Sequence, residues 1–287
     1  MKRLIFCLSA LLLLAACKGK QPETSTTVAD TATLPMCNVL SEMDDMEVIA
    51  IPDRLHSMSA DLFKGSFNDS LLAVLTPDGS TPSAINAFLL RISGNYSGTR
   101  DYTVLIDAGL GEDNGGLLLR QLKFLDVKPE EIDAICLTHL HPDHIGGLLK
   151  GGQPLFLNAE IYLSVDEFNA WSDDGPFASK NELWKQLLSS YANNIRLFND
   201  GDKILEGSIT AHLAPGHTPG HTVYEAGLCL FVGDLLHAQD LQLEHPDFCA
   251  RYDDKPSLAV QTRKRILASA SGLYLCGAHC YDPFISM

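Results

Sequence analysis

A mixed α/β fold is predicted by three features of the chain. From about residue 45 onward, short apolar and β-branched runs alternate with stretches of helical periodicity, as in layered α/β domains. The 287 residues are 46% hydrophobic and 20% charged, a composition that supports one sizeable core and argues against disorder or coiled coil. Several strand candidates also run straight into loops carrying His or Asp, where a rigid sheet presents reactive side chains.

In chain order, Met1-Lys2-Arg3, the apolar stretch from Leu4 to Ala16 and then Cys17 read as a basic n-region, an h-region and a cleavage site. Leu14-Ala15-Ala16-Cys17 resembles the bacterial lipobox, which implies a signal peptide over residues 1–16 and an exported lipoprotein tethered to a membrane through Cys17, periplasmic or at the cell surface. Residues 17–44 are expected to be the lipidated cysteine and a flexible tether, because their Ser, Thr and Ala content offers no periodic apolar face. One folded domain is expected over residues 45–287. Strands are expected at 47–51, 71–75, 86–92, 102–106, 134–137, 160–163, 208–213, 222–225, 229–232 and 273–276. Helices are expected at 116–125 with Asn114 as cap, at 179–191 opening on Ser179-Lys180-Asn181-Glu182 as a capping box, and at 256–268.

Cys136, Cys229 and Cys276 lie in apolar runs and read as small core hydrophobes, and no CxxC pair or four-cysteine zinc spacing occurs. Lys and Arg number 21 against 36 Asp and Glu, a net charge of −15 that becomes −17 once Lys2 and Arg3 leave with the signal peptide. Nothing would neutralise a phosphate backbone, so nucleic acid is not expected as a partner. Beyond the leader no apolar run approaches the roughly 20 residues of a membrane span, which leaves the lipid as the expected membrane contact.

The chemistry concentrates in Thr138-His139-Leu140-His141-Pro142-Asp143-His144-Ile145-Gly146-Gly147. As an extended chain leaves a strand, His139 and His141 point the same way, and the turn at Pro142 delivers Asp143 and His144 to a second point nearby. Imidazole nitrogen with carboxylate oxygen suits zinc, with iron, manganese or cobalt as substitutes, and two such points suit two adjacent ions. No G-x-S-x-G elbow is present, which disfavours a serine hydrolase.

This HxHxDH string is preceded by Leu105-Ile106-Asp107-Ala108-Gly109 and followed by Ala214-Pro215-Gly216-His217-Thr218-Pro219-Gly220-His221, Phe231-Val232-Gly233-Asp234 and Gly277-Ala278-His279. The ordered set is similar to the signature of the metallo-β-lactamase fold superfamily over about residues 45–285. The resemblance implies a four-layer αββα sandwich. It implies a first metal held by His139, His141 and His217, a second held by Asp143, His144 and His279, and Asp234 bridging them. It further implies a zinc-dependent hydrolase using a metal-bridging hydroxide, with Asp143 and Asp234 as the catalytic carboxylates and Asp107 orienting a ligand histidine.

Within that superfamily, His141 stands where di-iron redox relatives place a glutamate, and Asp234 is a ligand that true metallo-β-lactamases generally lack. The chain ends eight residues after His279, without the C-terminal helical domain that glutathione thioester hydrolases add. The branch it most resembles contains N-acyl homoserine lactone lactonases and methyl parathion hydrolase, with a looser likeness at residues 245–253 and 261–265. A small neutral or apolar ester, foremost a lactone with a hydrophobic acyl tail, is the expected substrate; a β-lactam, a phosphotriester, or metal binding without turnover are the alternatives. His221 is expected to support the site and His237 to reach its rim, while His56, His212 and His245 are expected to lie apart from it. Trp171, Phe177, Trp184 and Phe248 fit pocket or core equally.

Overall fold

The computed structural model describes residues 34–43 and 45–287; the expected signal peptide, Cys17 and the tether up to residue 33 lie outside the described residues. Seven strands form one sheet in the order β1 (Asn38–Met43), β2 (Met46–Ser59), β3 (Ser80–Ile92), β4 (Tyr102–Ile106), β5 (Ala134–Cys136), β6 (Glu160–Ser164) and β7 (Ile195–Phe198). The first four pair antiparallel and the last three are added in parallel. A second sheet runs β8 (Lys203–Ile204), β9 (Ile209–Leu213), β10 (Thr222–Ala226), β11 (Cys229–Gly233), β12 (Tyr274–Gly277) and β13 (Ile285–Ser286). Only its β11–β12 pair is parallel.

Strand alternation sorts the apolar runs into layers. Val48, Ala50, Phe88, Leu90, Val104 and Ile106 face Ile209, Ala211, Tyr224 and Phe231 of the other sheet in one buried cluster. Their chain neighbours Ile49, Ile51, Leu89, Leu105 and Ile135 face outward onto Leu118 and Leu122 of the helix Leu118–Phe124 and onto Trp184 and Leu187 of the helix Glu182–Tyr191. On the far side, Val223, Leu230, Val232 and Leu275 pack against Ile266 of the helix Pro256–Ser269. Helix, sheet, sheet and helix therefore stack as the expected four-layer sandwich.

Three expectations change. The folded body begins before residue 45: β1 pairs with β2, Asn38 opposite Ala50, and Gln121 Nε2 donates to Pro35 O at 2.8 Å. This edge strand buries Leu40 but leaves Val39 53% exposed, so its apolar pattern is too sparse to read against the polar residues before it. Residues 71–75 are helical, within Asp69–Leu75, because Asn68 caps the first turn by accepting from Leu71 N at 3.0 Å. A five-residue apolar run does not distinguish the two periods, and only Leu72 is buried there. Ser179 caps nothing: it sits in a 3-10 turn over Ala178–Lys180, and the helix starts at Glu182.

Candidate metal centre

Strand ends deliver the polar residues. β4 runs into Asp107, β5 into Thr138 and His139, β9 into the loop of His217, β11 into Asp234 and β12 into His279. At Gly233 the backbone has φ 49°, and a Cβ there would lie 2.7 Å from His221 Nε2, so only glycine lets β11 turn sharply enough to present Asp234. His221 Nε2 accepts the Asp234 N–H at 3.0 Å, the supporting role expected of it.

The seven sequence-derived residues converge in two groups. His139, His141, His217 and Asp234 offer ligand atoms within 4.8 Å of one another, and so do Asp143, His144 and His279. His139 Nε2 and His217 Nε2 lie 2.8 and 2.9 Å from His141 Nδ1. Asp234 stands between the groups, with Oδ2 at 3.2 Å from both His217 Nε2 and His279 Nε2, and Oδ1 at 2.9 Å from His144 Nε2.

Outer partners fix which nitrogen of each ring points inward. Carboxylates and carbonyls only accept, so His144 Nδ1 donates to Asp107 at 2.8 Å, His217 Nδ1 to Asp253 at 3.0 Å and His279 Nδ1 to Ala84 O at 2.8 Å. Thr138 Oγ1 donates to Asp107 at 2.8 Å and so accepts from His139 Nδ1 at 3.1 Å. Asp107 holds a left-handed backbone, φ 58°, strain offset by its grip on Thr138 and His144.

The residues present fit a metal. His144 Nε2 and Asp234 Oδ1 are buried and face each other without a hydrogen bond, an arrangement that a cation between them relieves. Burial pushes His139 well below the usual histidine range and His141 down to about 3, so both rings are neutral ligands at physiological pH. Burial would raise Asp234, but the surrounding imidazoles, His279 and His144 foremost, hold its carboxyl well below the usual range.

Several buried residues that support the site carry no local signature. Glu167 is 0% exposed and accepts four hydrogen bonds: Leu140 N at 3.1 Å, Trp171 Nε1 at 2.7 Å, Thr218 Oγ1 at 2.7 Å and Gly220 N at 3.0 Å. It thereby joins the loop of His139 and His141 to the loop of His217. Asp53, also 0% exposed, accepts from Leu110 N, Leu117 N and Leu118 N at 2.8, 2.6 and 2.7 Å. It caps the helix that Asn114 was expected to cap, and anchors the loop after Asp107. Arg263, buried on Leu235, Pro246 and Phe248 carbonyls, lies 3.5 Å from Asp253 and steadies it beneath His217.

Above the cluster is a cavity of about 450 Å³. His237 lines it, as expected, stacked on His279 with ring centroids 5.5 Å apart. His56 lines it too, against expectation; its place on the long β2–β3 hairpin, paired with Ser83, brings it over the site from a distant segment. His212 pairs instead with Glu225 on the surface. Trp171, Phe177, Trp184 and Phe248 belong to the core.

A model of the metallo-beta-lactamase superfamily matches residues 80–279. The chain is 31% identical over 133 residues to the hydroxyacylglutathione hydrolase of Buchnera aphidicola subsp. Schizaphis graminum, covering 46% of this chain and 42% of that one. It is 27% identical over 190 residues to the hydroxyacylglutathione hydrolase of Aeromonas salmonicida, covering 63% and 58%. The chain thus spans about half the length of the curated relatives it matches. Among solved structures it is similar to AbOPH, a hydrolase in the beta lactamase superfamily, with TM-score 0.74 and 27% identity over 86% of this chain and 91% of that one. It shares its fold with AidC, a dizinc quorum-quenching lactonase, with TM-score 0.72 and 24% identity over 86% and 92%. The matched span contains both groups of converging histidines and aspartates, and the chain belongs to the metallo-beta-lactamase superfamily.

Proposed function

We propose that this protein is a dinuclear metal-dependent hydrolase of a small ester or lactone, exported and held at a membrane through lipid on Cys17. The observation that carries the enzymatic part is the meeting of two donor groups at Asp234 beneath an open cavity. His139 Nε2, His141 Nδ1 and His217 Nε2 would hold one ion, and Asp143, His144 and His279 the other, with Asp234 between them. A set of three imidazoles favours zinc. Bound there, two divalent ions supply Lewis acidity toward a carbonyl oxygen and lower the pKa of water from about 16 to about 7.

The chain's own residues do the rest. Asp107, Asp253 and the Ala84 carbonyl hold three rings in the tautomer whose Nε2 faces the cluster. Asp143 lines the cavity with its side chain 29% exposed, and lies 3.5 Å from His279 Nε2. It can therefore take a proton released at the cluster and return it to the leaving oxygen. The likeness to the hydrolase AbOPH supports hydrolysis, and the fold shared with AidC, a quorum-quenching lactonase, supports a lactone.

The test is a parallel assay of the metal-loaded protein on acyl homoserine lactones, aryl esters, a phosphotriester, a cephalosporin and a glutathione thioester, with and without chelator. Ester or lactone turnover that is lost on chelation and restored by zinc is expected. Cleavage of the cephalosporin alone, or of the thioester alone, would replace this reading.

A further inference from the structure

The net charge of −15 describes the chain but not its cavity. Apart from Asp143 and Asp234, the charged side chains lining the cavity are Lys180 and Arg251. Most other cations of the described residues are spoken for: Lys64 by Asp61, Arg100 by Asp133, Lys185 by Asp173, Lys264 by Asp247. Neither Lys180 nor Arg251 has a carboxylate partner among the described residues. Arg251 feels Asp61 only at longer range, and Asp61 is held by Lys64 at 2.6 Å.

The two cations reach the cavity from separate elements. Lys180 ends the turn Ala178–Lys180, its Nζ 5.8 Å from the Phe177 ring centroid. Arg251 lies between the helices Gln239–Glu244 and Pro256–Ser269, with its backbone N–H bonded to Leu62 O at 2.9 Å. The apolar lining comprises Met58, Ile85, Pro142 and the Tyr252 ring, and the rest of the wall is charged or polar. An unpaired Lys and Arg over such a site are suited to an anion small enough to share the cavity with the scissile carbonyl.

We infer that the substrate is an ester or lactone carrying a carboxylate, and that Lys180 and Arg251 hold this carboxylate while the carbonyl lies over the His and Asp cluster. The inference rests on the hydrolase reading and replaces the expectation of a neutral, apolar substrate. Hydrolysis adds one water across the acyl C–O bond and leaves an acid and an alcohol. The carboxylate that does the recognising is unchanged by the reaction.

The metal-loaded protein is assayed on 4-nitrophenyl hydrogen adipate and on the matching methyl ester, with the uncatalysed rate of each subtracted, and titrated by calorimetry with the corresponding 4-nitroanilides, which bind without rapid turnover. Two ion pairs to the exposed Lys180 and Arg251 predict a preference of about tenfold in kcat/KM for the carboxylate, expressed in KM. The preference should shrink between about 10 mM and about 1 M salt, as the Debye length falls from ~30 to ~3 Å. The double variant Lys180→Ala, Arg251→Ala should bring the ratio of the two substrates, and of the two anilide affinities, close to one. Equal turnover of both esters by the parent protein overturns the proposal and leaves the hydrolase reading standing. Hydrolysis of neither ester nor of any member of the panel above, with the carboxylate anilide still preferred, sinks the hydrolase reading and upholds the recognition. No preference in either measurement overturns it.

Discussion

Glu167 offers the sharpest test of how the site is held, because its two oxygens divide their work. One accepts from Leu140 N and Trp171 Nε1, the other from Thr218 Oγ1 and Gly220 N. In Glu167→Gln the amide NH₂ must face one pair of donors. It should face Thr218 and Gly220, because the Thr218 hydroxyl can turn to accept, which leaves only the Gly220 N–H without a partner. The cost is one buried hydrogen bond to a charged group, about 2 kcal/mol. Glu167→Ala strands the Leu140 and Gly220 N–H groups and the Trp171 indole together, with a cavity added, on the order of 5 kcal/mol. The strain from Gln falls on the loop of His217, so a loss of metal affinity of about tenfold should accompany it. Urea unfolding of the chelated protein reads the stability, and competition with a chromophoric chelator reads the metal. A Gln variant matching the parent in both, or an Ala variant no worse than Gln, would refute the reasoning.

Other consequences can be checked directly. After zinc loading, elemental analysis should find two ions per chain; Asp234→Ala should weaken both sites while His144→Ala affects mainly one, and loss of the same single ion in both variants would contradict the ligand assignment. Asp53→Ala should cost on the order of 3 kcal/mol, since Leu110, Leu117 and Leu118 each lose an acceptor, and a urea midpoint near that of the parent would argue against it. Burial raises Cys249 to about 11 and Cys280 to about 12, so their thiolates are scarce at pH ~8; a thiol reagent should reach the half-buried Cys37 first, with labelling of the others rising only as pH climbs or on unfolding. Cys17→Ser should release the protein from the membrane fraction, and unchanged association would rule out the lipid tether.

What could be read from the sequence was what lies close together in it, or falls in the ordered motifs that carry the family resemblance, as His217, Asp234 and His279 do. His139, His141, Asp143 and His144 share one loop, and the strands around them are apolar on both faces, so donors and fold both leave a local pattern. The supports do not. Glu167 reaches Leu140 across 27 residues, Asp253 reaches His217 across 36 and Asp53 reaches Leu117 across 64. Glu167 reads as an ordinary acid in the first turn of the helix Val165–Ala170, and Asp53 as a polar break in a strand. Their roles exist only once loops far apart in sequence meet, and an isolated Asp or Glu gives no sign of which backbone N–H groups it will meet. His56 escaped notice for the same reason, being placed over the cavity by a hairpin whose length was not apparent.

These buried acids also bear on how far total charge reaches the substrate. Asp53, Asp107, Glu167, Asp234 and Asp253 are all buried and count toward the net charge of −15. Yet each carboxylate has a backbone N–H group, a hydroxyl or an imidazole within hydrogen-bond distance. Acids so compensated contribute little field at the cavity mouth, and exposed ones more than about 8 Å away are largely screened at physiological salt. A ligand in the cavity lies against Lys180 and Arg251, with no acid paired to either among the described residues. The charge that a substrate meets is therefore set by the few side chains lining its path, and here Lys180 and Arg251 are the two of them left without an acid, whatever the net charge of the chain.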